Sequence, residues 1–132
     1  MTGFPLKIVT PDGLEFDGMA ESLTVRTVTG DMGIMAQHVY CVAPLGMGEA
    51  TVVIDGQRRR AACIGGMVSV INGAVNLVPT TFEWADEIDV ARAEASEKRA
   101  QAVLANKNAT DTEIKLAKAR LKRALVRKNV RR

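Results

Sequence analysis

Two arginines of the chain, Arg92 and Arg99, have the type and spacing to hold phosphate groups. They lie seven residues apart in the stretch EWADEIDVARAEASEKRA, residues 83–100, whose body is rich in Ala, Glu, Lys and Arg. Such a composition favours a helix, in which both guanidinium groups would share one face and could grip phosphates by hydrogen bonds. The alternative is structural, with both arginines paired with Glu87, with Glu94 or with the domain that precedes the helix.

Residues that could catalyse a reaction are missing from this sequence. His38 is the one histidine, so no histidine cluster can bind a metal ion, and the nearby Cys41 belongs to no Cys-x-x-Cys pair. No serine has a Gly-x-Ser-x-Gly setting, and the glycine-rich phosphate-binding motifs do not occur. We therefore expect no catalytic residue, no metal site and no required cofactor.

Charge is divided unevenly along the chain. The 132 residues have a formal net charge of +3, but residues 111–132 carry nine Lys or Arg against two acids. Residues 1–110 carry nine basic and thirteen acidic residues, a net charge of −4. The end of the chain is thus a basic arm on a mildly acidic body, suited to an acidic protein surface, a polyphosphate or a nucleic acid.

Turn sequences divide the first part of the chain into short strands. Residues 11–13 (PDG), 55–56 (DG) and 72–73 (NG) separate runs rich in β-branched residues, and the last two pairs are favoured in two-residue hairpins. Apolar and polar residues often alternate within the runs, as in SLTVRTV of residues 22–28. This spacing predicts an antiparallel β-sandwich or flattened barrel over residues 1–84.

Residues 85–132 predict two helices that form an antiparallel hairpin. Asp86 is expected to cap the first helix, with Glu87 and Asp89 in its first turn. Residues 106–108 (NKN) break that helix, and a Thr-x-x-Glu capping box opens the second one.

The faces on which the two helices would pack are made mostly of alanine. The expected stripes are Ile88, Ala91, Ala95, Ala102 and Val103 in the first helix, and Ile114, Ala117, Leu121, Ala124 and Leu125 in the second. Transfer free energy scales with buried apolar area, at about 25 cal/mol per Å², so alanine-rich faces hold helices together weakly. We expect a hairpin that can detach or extend at modest cost, as a regulatory element requires.

The cysteines and the hydropathy of the chain indicate a protein of cytosolic character. Cys41 and Cys63 are expected to be reduced, buried thiols, because two isolated cysteines without a secretory signal indicate no disulfide framework. No stretch approaches the roughly 18 apolar residues that a transmembrane helix needs. We expect any membrane association to be indirect.

Two further segments each have two interpretations. Residues 30–38 (GDMGIMAQH) are either a surface loop between strands or a recognition loop that presents Asp31 and His38 to a partner. Residues 58–60 (RRR) are either an exposed hairpin rim or a partner contact, and strand alternation sends Arg59 to the face opposite its neighbours.

Four pieces of the sequence together resemble the epsilon subunit of rotary F-type ATP synthases. They are residues 6–18 (LKIVTPDGLEFDG), residues 30–38 (GDMGIMAQH), residues 65–70 (GGMVSV, expected at the end of a strand) and residues 85–100 (ADEIDVARAEASEKRA, expected at the start of a helix). Their order and spacing carry the resemblance, which runs from Leu6 to Leu125. It implies a β-sandwich followed by a helical hairpin, in a non-catalytic subunit of the central rotor stalk.

The resemblance also implies partners. In the family, the β domain binds the gamma subunit and rests on the membrane ring of c subunits, which faces the segment that here contains Asp31 and His38. These two residues are therefore expected to contact the c-ring, although Ala36 and Gln37 stand where Pro-Gly is commoner. The subunit is expected on the cytoplasmic face of a bacterial cell membrane, held there only through the complex.

In the family, the hairpin switches between a folded state and a state extended along gamma, which inhibits ATP hydrolysis. The resemblance makes the second helix the inhibitory arm, which would meet acidic helical surfaces of the alpha and beta catalytic subunits. The basic residues expected to act there are Lys115, Lys118, Arg120, Lys122, Arg123, Arg127 and Lys128. Such a contact would be salt-sensitive, and the alternative is a solvated charged face.

Part of the first helix resembles the regulatory ATP-binding signature of some bacterial epsilon subunits. The residues concerned are Ile88, Asp89, Arg92, Ala93 and Arg99. The resemblance implies that ATP holds the hairpin folded, with both arginines on its phosphates, Asp89 on the adenine amino group or ribose, and space for the base beside Ala93. Lys115 or Arg123 of the second helix could complete the site.

Two other functions stay open. The basic last helix could bind nucleic acid, but the aromatic residues near it, Phe82 and Trp84, precede the hairpin instead of lying among its arginines. A stand-alone ATP sensor would bind nucleotide tightly without a gamma subunit. The resemblance favours neither, and we expect no nucleic acid among the partners.

Overall fold

The computed structural model describes residues 3–35 and 40–131 of the chain. The chain divides between Ala85 and Asp86 into two units, which are called the β unit and the helical unit below. In the described part of the chain, no helix is long and apolar enough to cross a membrane.

The β unit is a sandwich of two sheets. Its described strands are β1 (Phe4–Thr10), β2 (Gly13–Ala20), β3 (Ser22–Thr27), β4 (Gly30–Met35), β5 (Cys41–Pro44), β6 (Met47–Ile54), β7 (Gln57–Ile64), β8 (Met67–Ile71), β9 (Ala74–Val78) and β10 (Thr81–Trp84). The first sheet has the order β2-β1-β9-β8-β5 and the second the order β10-β7-β6-β3-β4. The β-sandwich prediction is confirmed, but β1 and β9 pair in parallel within an otherwise antiparallel arrangement.

Two hairpins form where the sequence predicted them. Asp55 and Gly56 join β6 to β7 with φ angles of 51° and 74°, and Asn72 and Gly73 join β8 to β9 with φ angles of 53° and 78°. Positive φ at both central positions is the requirement of a type I′ turn, whose twist matches the twist of the strands. These turns set the register and thereby decide which side chains point inward.

The core of the β unit lies between the two sheets. In β1 and β3 buried residues alternate with more exposed ones, as the sequence pattern predicted. Leu6, Ile8, Leu23 and Leu77 are at most 1% exposed. The β unit therefore has a core of large aliphatic side chains of its own.

Residues 30–35 are a strand, so their interpretation as part of a surface loop is wrong. They form β4 and pair with β3, with Thr27 opposite Gly30 and Leu23 opposite Ile34. Ile34 is buried and Met32 packs against the core, so this short segment has its own inward-facing residues. The two glycines hide that alternation in the sequence, because glycine is unfavourable in strands.

A short 3₁₀ turn at Ala85–Glu87 spans the boundary between the units, and the helical unit contains helix α1 (Val90–Ala105) and helix α2 (Asp111–Arg131). The predicted cap at Asp86 is wrong. Asp89 is the N-cap of α1, and its Oδ1 accepts a hydrogen bond from the backbone N–H of Arg92 at 3.1 Å. Neither Glu87 nor Asp89 therefore lies in the first turn of α1.

The capping box of α2 forms as predicted. The backbone N–H of Glu113 donates to the hydroxyl of Thr110, and the N–H of Thr110 donates to the Glu113 carboxylate, both at 3.1 Å. Before it, the Asn106 side chain accepts from the N–H of Asn108 at 2.9 Å. The helix break is thus held by local side-chain hydrogen bonds.

Helices α1 and α2 pack on each other, and their short connection, residues 106–110, makes them antiparallel. Ala117 and Ala124 of α2 are buried as predicted, but Leu125 is 40% exposed. Of the stripe predicted for the first helix, Ile88 is buried and Val103 half-buried, but the prediction is wrong for Ala91, Ala95 and Ala102, which are exposed. The buried residues of α1 are Ala93 and Ala100. Alanines occur on every face of α1, and the true face was overlooked because it also carries Glu97.

Candidate functional site

The polar residues of the predicted nucleotide site lie at the start and middle of α1. Arg92 and Arg99 are exposed, and among the described residues no ion pair joins either arginine to an acid. The predicted alternative, in which Glu87 and Glu94 neutralise them, is therefore not the arrangement found in this conformation. Both guanidinium groups are available to a phosphate in solution.

The other three residues of that site have structural positions as well. One carboxylate oxygen of Asp89 is engaged as the helix cap, and the second oxygen could still accept from a ligand. Ile88 and Ala93 are only 4% and 3% exposed. An adenine ring could therefore contact these two side chains only after neighbouring groups moved.

The basic residues of α2 differ in exposure. Lys115, Lys118, Arg120 and Lys122 are exposed, whereas Arg123, Arg127 and Lys128 are half-buried. Helical geometry distributes seven cations over several faces of α2, so the predicted arm is a basic cylinder and not a single basic stripe.

Lys128 has a defined partner on the other helix. Its Nζ donates a hydrogen bond to Oε1 of Glu97 at 2.7 Å, which ties the last turns of α2 to the middle of α1. The hydrogen bond to Glu97 raises the pKa of Lys128 above its ordinary value, so the amine stays charged at neutral pH. Sequence reasoning missed this contact, because the two residues are 31 positions apart and no local pattern links them.

Asp31, predicted to contact the c-ring, lies near the start of β4 on the outer face of the second sheet. Nε of Arg26, which is directly opposite on β3, donates to its Oδ1 at 2.6 Å. The pair is exposed, so solvent screens it. His38, the second residue predicted for this contact, lies outside the described residues.

The three consecutive arginines of β7 alternate between faces as predicted. The Arg59 guanidinium lies over the ring of Trp84, 3.8 Å from its centroid, and Nε of Arg60 donates to Glu49 at 2.9 Å. Trp84 also meets Phe82 edge to face, with the ring centroids 4.9 Å apart. Arg59 therefore covers the aromatic end of strand β10.

A feature that sequence reasoning missed is an apolar row across the outer face of the first sheet. The strand register places Pro44 opposite Met67 and Met67 opposite Val78. The row continues through Val9 to Leu14, which face each other on β1 and β2. Met67, Val78 and Leu14 are 43%, 49% and 58% exposed. The outward positions of the hairpins could have indicated this row, but only once the order of the strands was known.

Cys63 is buried as predicted, whereas Cys41 is only half-buried. Burial raises the pKa of Cys63 to about 12, so this thiol stays protonated and unreactive at neutral pH. Sγ of Cys41 lies 3.7 Å from Sδ of Met32. Within residues 3–35 and 40–131, no group of three or more His, Cys, Asp or Glu side chains could hold a metal ion.

Comparison with known families and sequences accounts for both units. A family model described as "ATP synthase, Delta/Epsilon chain, beta-sandwich domain" matches residues 3–85, and one described as "long alpha-helix domain" of the same chain matches residues 86–130. The ATP synthase epsilon chain of Bacillus velezensis is 41% identical over 125 residues, which are 95% of this chain and 94% of that one. The epsilon chain of Ruminococcus albus is 40% identical over 131 residues, 98% of this chain and 97% of its own.

Solved structures share the fold. A chain from the Euglena gracilis mitochondrial ATP synthase, in a structure of its OSCP/F1/c-ring, superposes with a TM-score of 0.85 at 20% identity and covers 98% of this chain and 81% of its own. A chain from the Tetrahymena thermophila mitochondrial ATP synthase, in a structure of its central stalk and c-ring, gives 0.63 at 15% identity, with coverage of 97% and 96%.

Proposed function

The chain belongs to the ATP synthase delta/epsilon chain family, and we propose that it is the non-catalytic epsilon subunit of the central stalk of an F-type ATP synthase. In this role it helps to couple proton movement through the c-ring to ATP synthesis, and its helical unit restrains ATP hydrolysis. Near-complete alignment with bacterial epsilon chains supports the assignment. The chain would be peripheral to the cytoplasmic face of a bacterial membrane, held there by its partner subunits.

The apolar row on the first sheet is the observation that carries the partner assignment. The row runs from Pro44 to Leu14 across five neighbouring strands, and its members are exposed except for the half-buried Val9; an exposed apolar row of this kind marks a protein interface. We assign this face to the gamma subunit. We assign the β3–β4 hairpin with Asp31, together with His38, to the polar loops of the c-ring.

Binding of purified gamma subunit to variants of this face tests the assignment. Met67→Lys combined with Val78→Lys should weaken gamma binding at least about tenfold, because two buried charges would be left unpaired in the interface. Thr24→Lys, at an exposed position of β3 on the second sheet, is the matched control and should change binding less than about twofold. Undiminished gamma binding by the double lysine variant would remove the row from the interface.

The helical unit is the proposed regulatory arm. When extended, its basic residues would pair with acidic helices of the alpha and beta catalytic subunits, a contact that high salt weakens. Lys115, Lys118 and Arg120 are exposed and free to make it. Changing these three residues to Gln should raise ATP hydrolysis by the assembled enzyme, whereas Arg58→Gln, at an exposed position on the second sheet of the β unit, should not. Equal hydrolysis with both variants would contradict an inhibitory arm.

Regulatory ATP is proposed to bind at the start of α1. Support comes from Arg92 and Arg99, which are exposed and have no acidic partner among the described residues. Changing both to Ala should weaken ATP binding at least about tenfold in calorimetry on the isolated chain, because two phosphate contacts are lost. Lys98→Ala, an exposed cation on the same helix, is the control. The site is excluded if the double variant and the control bind ATP equally.

A further inference from the structure

The buried side chains of α1 and α2 are mostly small: among the described residues, four are alanines and the fifth is Val130. Ala93 and Ala100 in α1, and Ala117 and Ala124 in α2, are 0–3% exposed. Within each helix the two alanines lie seven residues apart, close to two full turns, so they share one face. These four residues are called the alanine seam below. They allow close approach of the helices but bury little apolar area, so they supply a weak contact.

A carboxylate lies on the same face. Glu97 is four residues after Ala93 and three before Ala100, which places it on the same face of α1 as the two alanines of the seam. Its side chain is only 16% exposed, and burial of an unpaired carboxylate would be unfavourable. Lys128 compensates this charge from α2, where it lies four residues after Ala124. The ion pair between Glu97 and Lys128 thus exists only while the two helices are packed together.

The direction of the side chains explains why these two residues meet. Long side chains in a helix lean towards its N-terminus. In an antiparallel pair those directions oppose each other, so Glu97 and Lys128 extend towards one another along the seam. The hydrogen bond between them is 2.7 Å long. Separation of the helices would break the bond and return both charges to water.

We propose that Glu97 and Lys128 form a latch that controls how often the helical hairpin opens. The inference rests on the proposed function in one respect: the latch occupies a lysine that the inhibitory arm would use. In the closed hairpin Lys128 is bound to Glu97, and only in the open hairpin is its charge free for an acidic partner surface. Closure and inhibition therefore compete for the same amine.

Amide hydrogen exchange of the full chain tests the latch without any partner. Glu97→Gln and Lys128→Gln should each speed exchange in α1 and α2 about fivefold, while exchange in the β-strands stays unchanged. Lys122→Gln removes an exposed cation from α2, the helix of Lys128, and should change exchange less than about twofold. The reversed pair, Glu97→Lys with Lys128→Glu, should restore most of the protection. Unchanged exchange in both single variants, or no recovery in the reversed pair, would overturn the latch.

Hydrolysis by the assembled enzyme separates the latch from the proposed inhibitory role. Glu97→Gln frees Lys128 and should lower ATP hydrolysis, whereas Lys128→Gln, which opens the hairpin but removes the amine, should lower it less. Faster helix exchange with unchanged hydrolysis would support the latch and contradict inhibition by the arm. Unchanged exchange would overturn the latch whatever the hydrolysis rates are.

Discussion

The two units of this chain bury side chains of very different size. The β unit encloses Leu6, Leu23 and Leu77, each essentially inaccessible to water, and each worth about 1.5–3 kcal/mol of transfer free energy. Among the described residues, the buried side chains of α1 and α2 are four alanines, whose methyl groups are each worth about 0.8 kcal/mol, and Val130. The difference indicates that the β unit is stably folded, whereas the contact between α1 and α2 can open at low cost in free energy.

The secondary structure of the two units is, by contrast, equally well specified. The β unit has two Asp-Gly or Asn-Gly hairpins with the required backbone geometry, and the helical unit has an N-cap and a capping box. Opening of the hairpin would therefore cost tertiary contacts and not helix caps, so the helices can separate without unfolding. An arm that extends along a partner needs that property.

The largest expected effect is on the β core. Leu77→Ala should lower the free energy of unfolding of the β unit by about 3 kcal/mol, because the cavity adds to the lost transfer free energy. Guanidinium unfolding followed by the fluorescence of Trp84, the chain's one tryptophan, measures this change. Leu14→Ala, at an exposed position of β2, is the control and should change the value by less than about 0.5 kcal/mol. Similar losses of unfolding free energy in the two variants would contradict the placement of Leu77 in the core and Leu14 outside it.

Enlarging a seam residue should disturb only the helical unit. Ala100→Leu adds three carbon atoms to a fully buried position and should cost about 2 kcal/mol of α1–α2 packing. Hydrogen exchange should rise in both helices and stay constant in the strands. Ala102→Leu lies on the exposed face, preserves helix propensity and should have almost no effect. If Ala102→Leu raised helix exchange and Ala100→Leu did not, the packing stripe predicted from the sequence would be correct instead.

Loss of the capping box should be smaller and more local. Thr110→Ala removes the acceptor of the Glu113 N–H and should destabilise the first turn of α2 by about 1 kcal/mol. The exchange rate of the Glu113 amide reports it directly. In the Thr112→Ala variant, changed inside the helix, the Glu113 amide should exchange as slowly as in the unmodified chain. Equal loss of protection in both variants would show that the cap is not responsible.

The smallest effect is expected at the end of β10. Arg59→Ala should lower the stability of the β unit by about 0.5–1 kcal/mol and shift the Trp84 emission, because the cation over the indole is lost. Arg58→Ala, its exposed neighbour, should leave both measurements unchanged. If the two variants behave alike, Arg59 is part of a solvated rim and not a cover for the aromatic ring.

Local signals in the sequence were sufficient for much of this fold. The pairs at residues 55–56 and 72–73 separate β6 from β7 and β8 from β9, and the break at residues 106–108 ends α1, because turn pairs and helix breakers act within a few residues. The cap of α1 was misplaced by three residues, from Asp89 to Asp86. Asp86 and Asp89 are equally good cap candidates in the sequence. Only the 3₁₀ turn at Ala85–Glu87, which delays the start of α1, makes Asp89 the cap.

The features that escaped prediction depend on distant residues. The parallel pairing of β1 with β9, and with it the apolar row, requires knowledge of strand order. The seam of α1 includes Glu97, which a search for apolar stripes rejects, and its partner Lys128 lies in the other helix. The residue types of the proposed ATP site could be read from the sequence, but the burial of Ile88 and Ala93 could not, since it depends on packing.

Native-state hydrogen exchange of the full chain, measured across a series of low guanidinium concentrations, compares the two units most directly. We expect the α1 and α2 amides to exchange through an opening at least about 2 kcal/mol less costly than the global unfolding that exposes the core strands. Helix amides that exchange only together with those of β1 and β3, at the same free energy and denaturant dependence, would contradict a separable arm.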